Sequence, residues 1–184
     1  MKAYDLYAAE VRRQLLLVET TQRAAIEEAA RWVADALRAD RFLWAFGTGH
    51  SHMVAEEIFY RAGGLARGAP ILDPALMLHD NAIEATYLER EAGRAEAILK
   101  AYPIQAGDVL VVASNGGRNA VPIEMALGGR ARGLKTVAIT NVSQSRAWPS
   151  RHASGLRLFE VADVVIDTCG VDGDRKSTRL NSSH

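Results

Sequence analysis

Two short loops hold most of the residues able to bind an anion. The first reads Gly47-Thr48-Gly49-His50-Ser51-His52 and the second Ser114-Asn115-Gly116-Gly117-Arg118-Asn119. Each follows a short apolar run and opens into a helical pattern. Glycines there let backbone N–H groups approach a ligand, and a helix N-terminus favours negative charge. Thr48, Ser51, Ser114, Asn115 and Asn119 add hydroxyl and amide groups, and Gly47, Gly49 and Gly117 supply the close approach. Ordinary helix-capping turns would use the same residue types. Two such loops after strands of one sheet converge on one side of it, and that argues for a ligand.

Those loops need a sheet to align them. After Arg41 short apolar runs alternate with helical patterns: extended over 42–46, helix over 51–62, extended over 69–72, helix over 85–101. A strand over 109–113, a helix over 120–132 and strands over 136–140 and 164–167 follow. The alternation implies right-handed crossovers and a parallel sheet. The predicted fold class is α/β, a five-stranded parallel sheet sandwiched by helices and doubly wound. Residues 1–40 predict an N-terminal helical arm. Leu6, Val11, Leu15 and Val18 mark one apolar stripe, and a second runs from Ala25 to Leu37, with Thr20 or Thr21 at its start. Such an arm packs on its own domain or on a partner subunit. Residues 41–173 form the sheet domain. Residues 174–184 are polar and aperiodic and read as a non-native tail.

Composition narrows the partners. Hydrophobic residues make up 48% of the 184, enough for a sizeable core, and 22 Lys+Arg balance 22 Asp+Glu. No basic excess draws the chain to nucleic acid or anionic lipid. The apolar runs are far shorter than the roughly 20 residues of a membrane helix. Asp5, Glu10, Arg12 and Arg13 make the N-terminus unlike a secretory signal. Cys169 is the only cysteine, so no internal disulfide forms, and it reads as a small core residue at a strand end. Trp44, Phe46, Trp32, Phe59 and Tyr60 read as core or subunit contacts. The expectation is a cytoplasmic protein with neither nucleic acid nor membrane as partner.

A dinucleotide fold is the natural rival. Gly47-x-Gly49 begins its fingerprint and Asp73 lies where an acidic ribose ligand belongs, but His52 replaces the third glycine. The 114–119 loop has no part in that fingerprint, and no P-loop occurs. Instead, the stretches from Phe46 to Gly64, Pro74 to Asp80, Ser114 to Glu124 and Pro149 to Gly155 resemble the sugar isomerase (SIS) domain family, and within it a bacterial subgroup of SIS-domain proteins. The resemblance covers roughly residues 4–172. It implies a five-stranded parallel sheet, a phosphosugar site and a homodimer or larger assembly. Members isomerise phosphosugars, cleave an ether from N-acetylmuramate 6-phosphate, or sense phosphosugars. In the family the loop after the third strand reads Ser-x-Ser-Gly-x-Thr/Asn and holds the phosphate. Ser114, Gly117 and Asn119 fit that pattern; Gly116 departs from it, because a second serine is expected there. A hydrogen bond to a charged group is worth about 1.5–3 kcal/mol, so affinity drops tenfold or more unless Asn115 or Arg118 compensates.

Isomerisation moves a proton between neighbouring sugar carbons. A partly buried Glu or a His serves at neutral pH. Glu56 and Glu57 are helix neighbours about 100° apart, so only one can face a ligand. The resemblance implies Glu57, a helix acid lining the pocket, and Glu84, the second acid of the etherases. His79 and Asp80 lie beside Glu84 after the second extended stretch, and His79 is the third catalytic candidate. His152, between Ser150 and Ser154, is a candidate substrate contact from its own or a neighbouring subunit, and so is His50. His50 and His52 share no helix face, which argues against a metal. No metal or organic cofactor is expected. The function expected is proton transfer on a sugar phosphate, amino-sugar phosphates included, by an isomerase or a lyase. The alternative is a non-catalytic sensor, although nothing resembles a helix-turn-helix with a basic face.

Overall fold

The computed structural model of the chain describes residues 2–171. The tail expected over 174–184 lies outside the described residues. The run Val109-Leu-Val-Val-Ala113 is β-branched and wholly apolar, as a strand buried on both faces requires. It forms β3 (Val109–Ala113), the central strand of a five-stranded parallel sheet. On one side it pairs with β1 (Leu43–Gly47), which pairs with β2 (Gly68–Ile71). On the other lie β4 (Lys135–Thr140) and then β5 (Val164–Asp167). The order β2-β1-β3-β4-β5 is the doubly wound arrangement expected.

Alternate side chains feed two layers. Trp44, Phe46, Leu110, Val112 and Ala138 pack on α5 (Arg94–Lys100), α6 (Ala120–Ala131) and α8 (Leu158–Val161). Leu43, Val109 and Val137 face the other way, onto Ala29 and Ala36 of α2 (Arg23–Arg38). Trp44 and Phe46 are thus core, with the Trp44 indole N–H donating to Asp108 at 2.8 Å. Phe59 and Tyr60 are exposed.

The arm consists of two helices, α1 (Ala3–Thr21) and α2, split at Gln22. Thr20 and Thr21 do not start α2. Their hydroxyls donate back to the carbonyls of Leu16 and Leu17, so both end α1. No residue of α1 is buried, and Leu6, Tyr7, Leu15 and Leu16 lie open. The Gln22 side chain accepts the Asp167 N–H at 3.0 Å, joining the arm to the end of β5.

Three further expectations change. The helix expected over 51–62 is α3 (His52–Glu57) alone; Tyr60 has φ 50, which no helix continues through. The helix expected over 85–101 is two, α4 (Leu78–Leu88) and α5, separated by Gly93 at φ 83. A short α7 (Val142–Ala147) follows β4. Cys169 is only half-buried, in a left-handed conformation after β5, with its thiol donating to the Asp167 carbonyl.

Candidate active site

The chain leaves β1 toward β2 on one side and returns to β3 on the other. The C-terminal ends of β1 and β3 therefore flank the crevice where doubly wound sheets bind ligands. Phe46 is in register with Val112 and Gly47 with Ala113, so the 47–51 and 114–119 loops leave the sheet side by side. Gly47 is required by the first turn, since a Cβ there would stand 2.2 Å from the Ser51 carbonyl oxygen.

The second loop is pinned from behind. Ser114 Oγ accepts the Gly117 N–H at 3.2 Å, and Gly117 C=O accepts from Leu158 at 2.8 Å. The Asn115 carbonyl accepts from Asn141 N–H and from the Thr140 hydroxyl, while its side-chain amide donates to Gln144 at 2.6 Å. Gly117 has φ 55, and a Cβ there would press on Thr140 Oγ1 at 2.8 Å. Among the described residues, the N–H groups of Gly116, Arg118 and Asn119 have no acceptor. They lie just before the N-terminus of α6, whose dipole adds to their pull on an anion.

A residue that the sequence reading did not single out lies between the loops. Glu89, just past the end of α4, accepts the Thr48 hydroxyl at 2.8 Å and the Asn119 amide at 2.6 Å, one on each carboxylate oxygen. Its backbone carbonyl accepts the Val121 N–H at 3.1 Å, in the first turn of α6. Thr48 and Asn119, expected to hold an external anion, are thus both turned onto a carboxylate of the protein itself. Burial pushes the Glu89 carboxyl above the usual carboxylate range. The Thr48 hydrogen bond and the charges of Arg90 and Arg151 offset part of that rise. Locally Glu89 reads as a surface acid in Glu89-Arg90-Glu91, so only its place beside the crevice marks it out.

The other candidates sit around this centre. Ser51 is half-buried at the start of α3, and His50 is exposed. Glu57 is exposed at the end of α3 and ion-paired with Arg61. Glu84 is exposed just past the middle of α4, with its carboxylate accepting from the Asn81 amide at 3.3 Å. His79 stacks edge-on against the buried His52, ring centroids 5.2 Å apart. His52 in turn lies 3.4 Å from Glu56 and bonds the Gly49 carbonyl, fixing the first loop. His152 is held by Ser154 at 2.8 Å and lies 3.7 Å from Glu124, whose carboxylate accepts the Gly93 N–H. Asp73, the residue of the dinucleotide alternative, is engaged by Arg94 at 2.8 Å and caps its own turn through Ala75 N–H. Among the described residues no cluster of three His, Cys, Asp or Glu side chains is arranged to hold a metal, and no helix is long and apolar enough to cross a membrane.

Comparison with known proteins adds the kinship. The family described as the SIS domain matches residues 6–141. A UPF0309 protein of Halalkalibacterium halodurans is 45% identical over 176 residues, 96% of this chain and 73% of that protein. A UPF0309 protein of Brucella ovis is 44% identical over 170 residues, covering 92% and 69%. Among solved structures, the phosphoheptose isomerase GmhA of Neisseria gonorrhoeae superposes with a TM-score of 0.65 at 19% identity, covering 97% of this chain and 92% of its own. A phosphoheptose isomerase of Francisella tularensis superposes with a TM-score of 0.59 at 16% identity, covering 94% and 88%. At those identities the likeness is one of fold.

Proposed function

The chain belongs to the SIS domain family, and on that premise we propose that it binds a sugar phosphate at the switch point and moves a proton on the sugar, in an isomerisation or an elimination. The observation that carries this reading is the Glu89 carboxylate held between Thr48 and Asn119, one residue from each loop. The phosphate takes the unpaired N–H groups of Gly116, Arg118 and Asn119 and the loop around Ser51 and Ser114. Ionised Glu89 takes the proton from the carbon beside the sugar carbonyl. In an isomerisation the carbonyl oxygen takes up a proton from solvent as the enediol forms, the adjacent hydroxyl gives one up as it becomes the new carbonyl, and Glu89 returns its proton to the former carbonyl carbon; in an elimination the electron pair expels the group one carbon further on, which leaves with a proton. Burial makes the carboxylate a stronger base than a solvated glutamate, and the two hydrogen bonds fix which oxygen lone pairs remain free.

The roles that the family resemblance implies for Glu57, Glu84 and His79, as acids or bases of this proton transfer, pass to Glu89 in this reading. The exposure of these three side chains in the single chain sets them outside the Thr48–Glu89–Asn119 centre. The open apolar face of α1 supports a homodimer or larger assembly, which would bury it.

Incubating the protein with hexose and amino-sugar 6-phosphates in deuterium oxide tests the reading. Solvent deuterium should enter the sugar at the carbon beside the carbonyl, and Glu89→Gln should abolish that exchange. Tight binding without exchange would leave a sensor. Equal affinity for a sugar and its phosphate would overturn the phosphate site.

A further inference from the structure

Six arginines among the described residues make no ion pair, and three of them, Arg90, Arg118 and Arg151, lie near enough for their charges to act on one another. Arg118 precedes Asn119 on the second loop. Its backbone carbonyl accepts the Arg151 N–H at 2.8 Å, so the two residues are pinned together across different crossovers. The Arg151 guanidinium donates to Asn119 Oδ1 at 2.8 Å, on the far side of the amide that serves Glu89. Arg90 follows Glu89, whose carbonyl is fixed to Val121, and its guanidinium lies over Tyr87, 5.7 Å from the ring centroid. The guanidinium of Arg118 lies over Trp148, 5.5 Å from the ring centroid, with its Nε buried and without a partner.

Ten other guanidinium groups among the described residues are neutralised by carboxylates. Arg94 meets Asp73, Arg130 meets Asp163 and Arg132 meets Glu96, each within 3.0 Å. Around Asn119, three positive charges face one carboxylate, Glu89, which Thr48 and Asn119 already occupy. Partial burial, together with the like charges of Arg118 and Arg90, holds the Arg151 guanidinium below its ordinary range, so the cluster repels itself as it stands. A phosphate seated on the N–H groups of Gly116, Arg118 and Asn119 is served without these side chains. The excess charge calls for another anion, and guanidinium forks match planar carboxylates and phosphates.

The geometry points to a second anion subsite formed by Arg90, Arg118 and Arg151 beside the phosphate loop, so that the ligand is a doubly anionic sugar carrying a carboxylate or a second phosphate as well as the first phosphate. This rests on the phosphosugar reading above and narrows its substrate class. Nothing here involves a covalent step; the subsite selects and orients.

Titration calorimetry with three probes decides it: glucose 6-phosphate, 6-phosphogluconate and fructose 1,6-bisphosphate. At least one doubly anionic probe should bind about tenfold or more tighter than the monophosphate. Which of the two does so identifies the second anion as carboxylate or phosphate. Arg90→Gln should remove most of that advantage while leaving glucose 6-phosphate within about twofold, and Arg151→Gln should remove it as well. The advantage should also shrink as salt is raised. Equal wild-type affinity for all three probes overturns the subsite and leaves the phosphate site standing. The same follows if Arg90→Gln weakens the monophosphate as much as the doubly charged probes. Binding of none of the three removes the phosphosugar reading itself, and the subsite with it.

Discussion

The side-chain amide of Asn119 donates a 2.6 Å hydrogen bond to the carboxylate of Glu89. Asn119 is the residue before α6, where asparagine usually caps the helix with its own side chain. Here it makes no such cap. The backbone carbonyl of Glu89 takes the Val121 N–H instead, and Pro122 has no N–H to satisfy. A helix-capping side chain has been released to bind an acid and, through its oxygen, Arg151. Local rules are broken in this way at sites under functional demand.

Replacing that acid tests its role. A glutamine at position 89 cannot accept from both Thr48 and Asn119, because one of its two terminal atoms is itself a donor. Glu89→Gln should lower stability by about 1–3 kcal/mol in urea unfolding and turnover by roughly 10²–10⁴. Glu57→Gln, which removes only the surface pair with Arg61, should leave turnover within about twofold. A loss of roughly 10²–10⁴ in the Glu57 variant would move the base there.

The pH dependence follows from the raised Glu89 carboxyl. Between the ordinary glutamate value, about 4.3, and the raised one, the folded chain holds a proton that the unfolded chain has lost. Stability from this group is therefore full below that window and falls as pH rises through it. Unfolding followed from pH 4 to 8 should show that slope in the wild type and not in Glu89→Gln. The acid limb of kcat/KM should likewise lie above the ordinary glutamate range, since the base works only when ionised.

Ser114→Ala removes the acceptor that holds the Gly117 N–H and a hydroxyl at the phosphate loop. A sugar phosphate should bind about 1.5–3 kcal/mol more weakly, and the free sugar should be hardly affected. Gly116→Ser restores the hydroxyl expected from the family pattern. A Cβ there meets only Arg118 Cγ at 3.8 Å, so the serine fits and should tighten phosphate binding. Calorimetry on both variants gives the answer.

Gly47→Ala should damage the fold as well as the site. Its Cβ would meet backbone, the Ser51 carbonyl carbon at 2.4 Å and the His52 nitrogen at 2.8 Å, and neither can rotate away. A loss of about 3 kcal/mol in thermal or urea unfolding is expected.

The arm predicts assembly. Tyr7 is 74% exposed, Leu15 65% and Leu16 59%, on a helix with no buried residue. Light scattering should report a species of at least twice 20.0 kDa. Leu15→Glu with Leu16→Glu should return it to the single-chain mass while the sheet domain stays folded. A wild type of single-chain mass would refute the arm's role.

The strands were legible because a parallel sheet buried on both faces leaves an unmistakable apolar run, as in Val109 to Ala113. The two loops were legible because small and hydroxyl residues interrupt those runs where strands end. The ends of α3, α4 and α5 were not: Tyr60 and Gly93 take positive φ for tertiary reasons that periodicity does not record. Glu89 stayed hidden for a related reason. Its neighbours in sequence are charged surface residues, and its partners Thr48 and Asn119 are 41 and 30 residues away. Nothing local distinguishes an acid that a crossover will carry to the crevice from one that it will leave in water.

Those separations also set when the crevice comes into being. Closing a chain segment costs entropy that grows slowly with its length, and contacts spanning several crossovers form late in folding. The chain on the ribosome cannot complete the centre before α6 has emerged, because Asn119 and Val121 supply two of the contacts of Glu89. A ligand bridging these segments binds the finished fold alone, so it slows unfolding and shifts the equilibrium by mass action without hastening the early steps of folding.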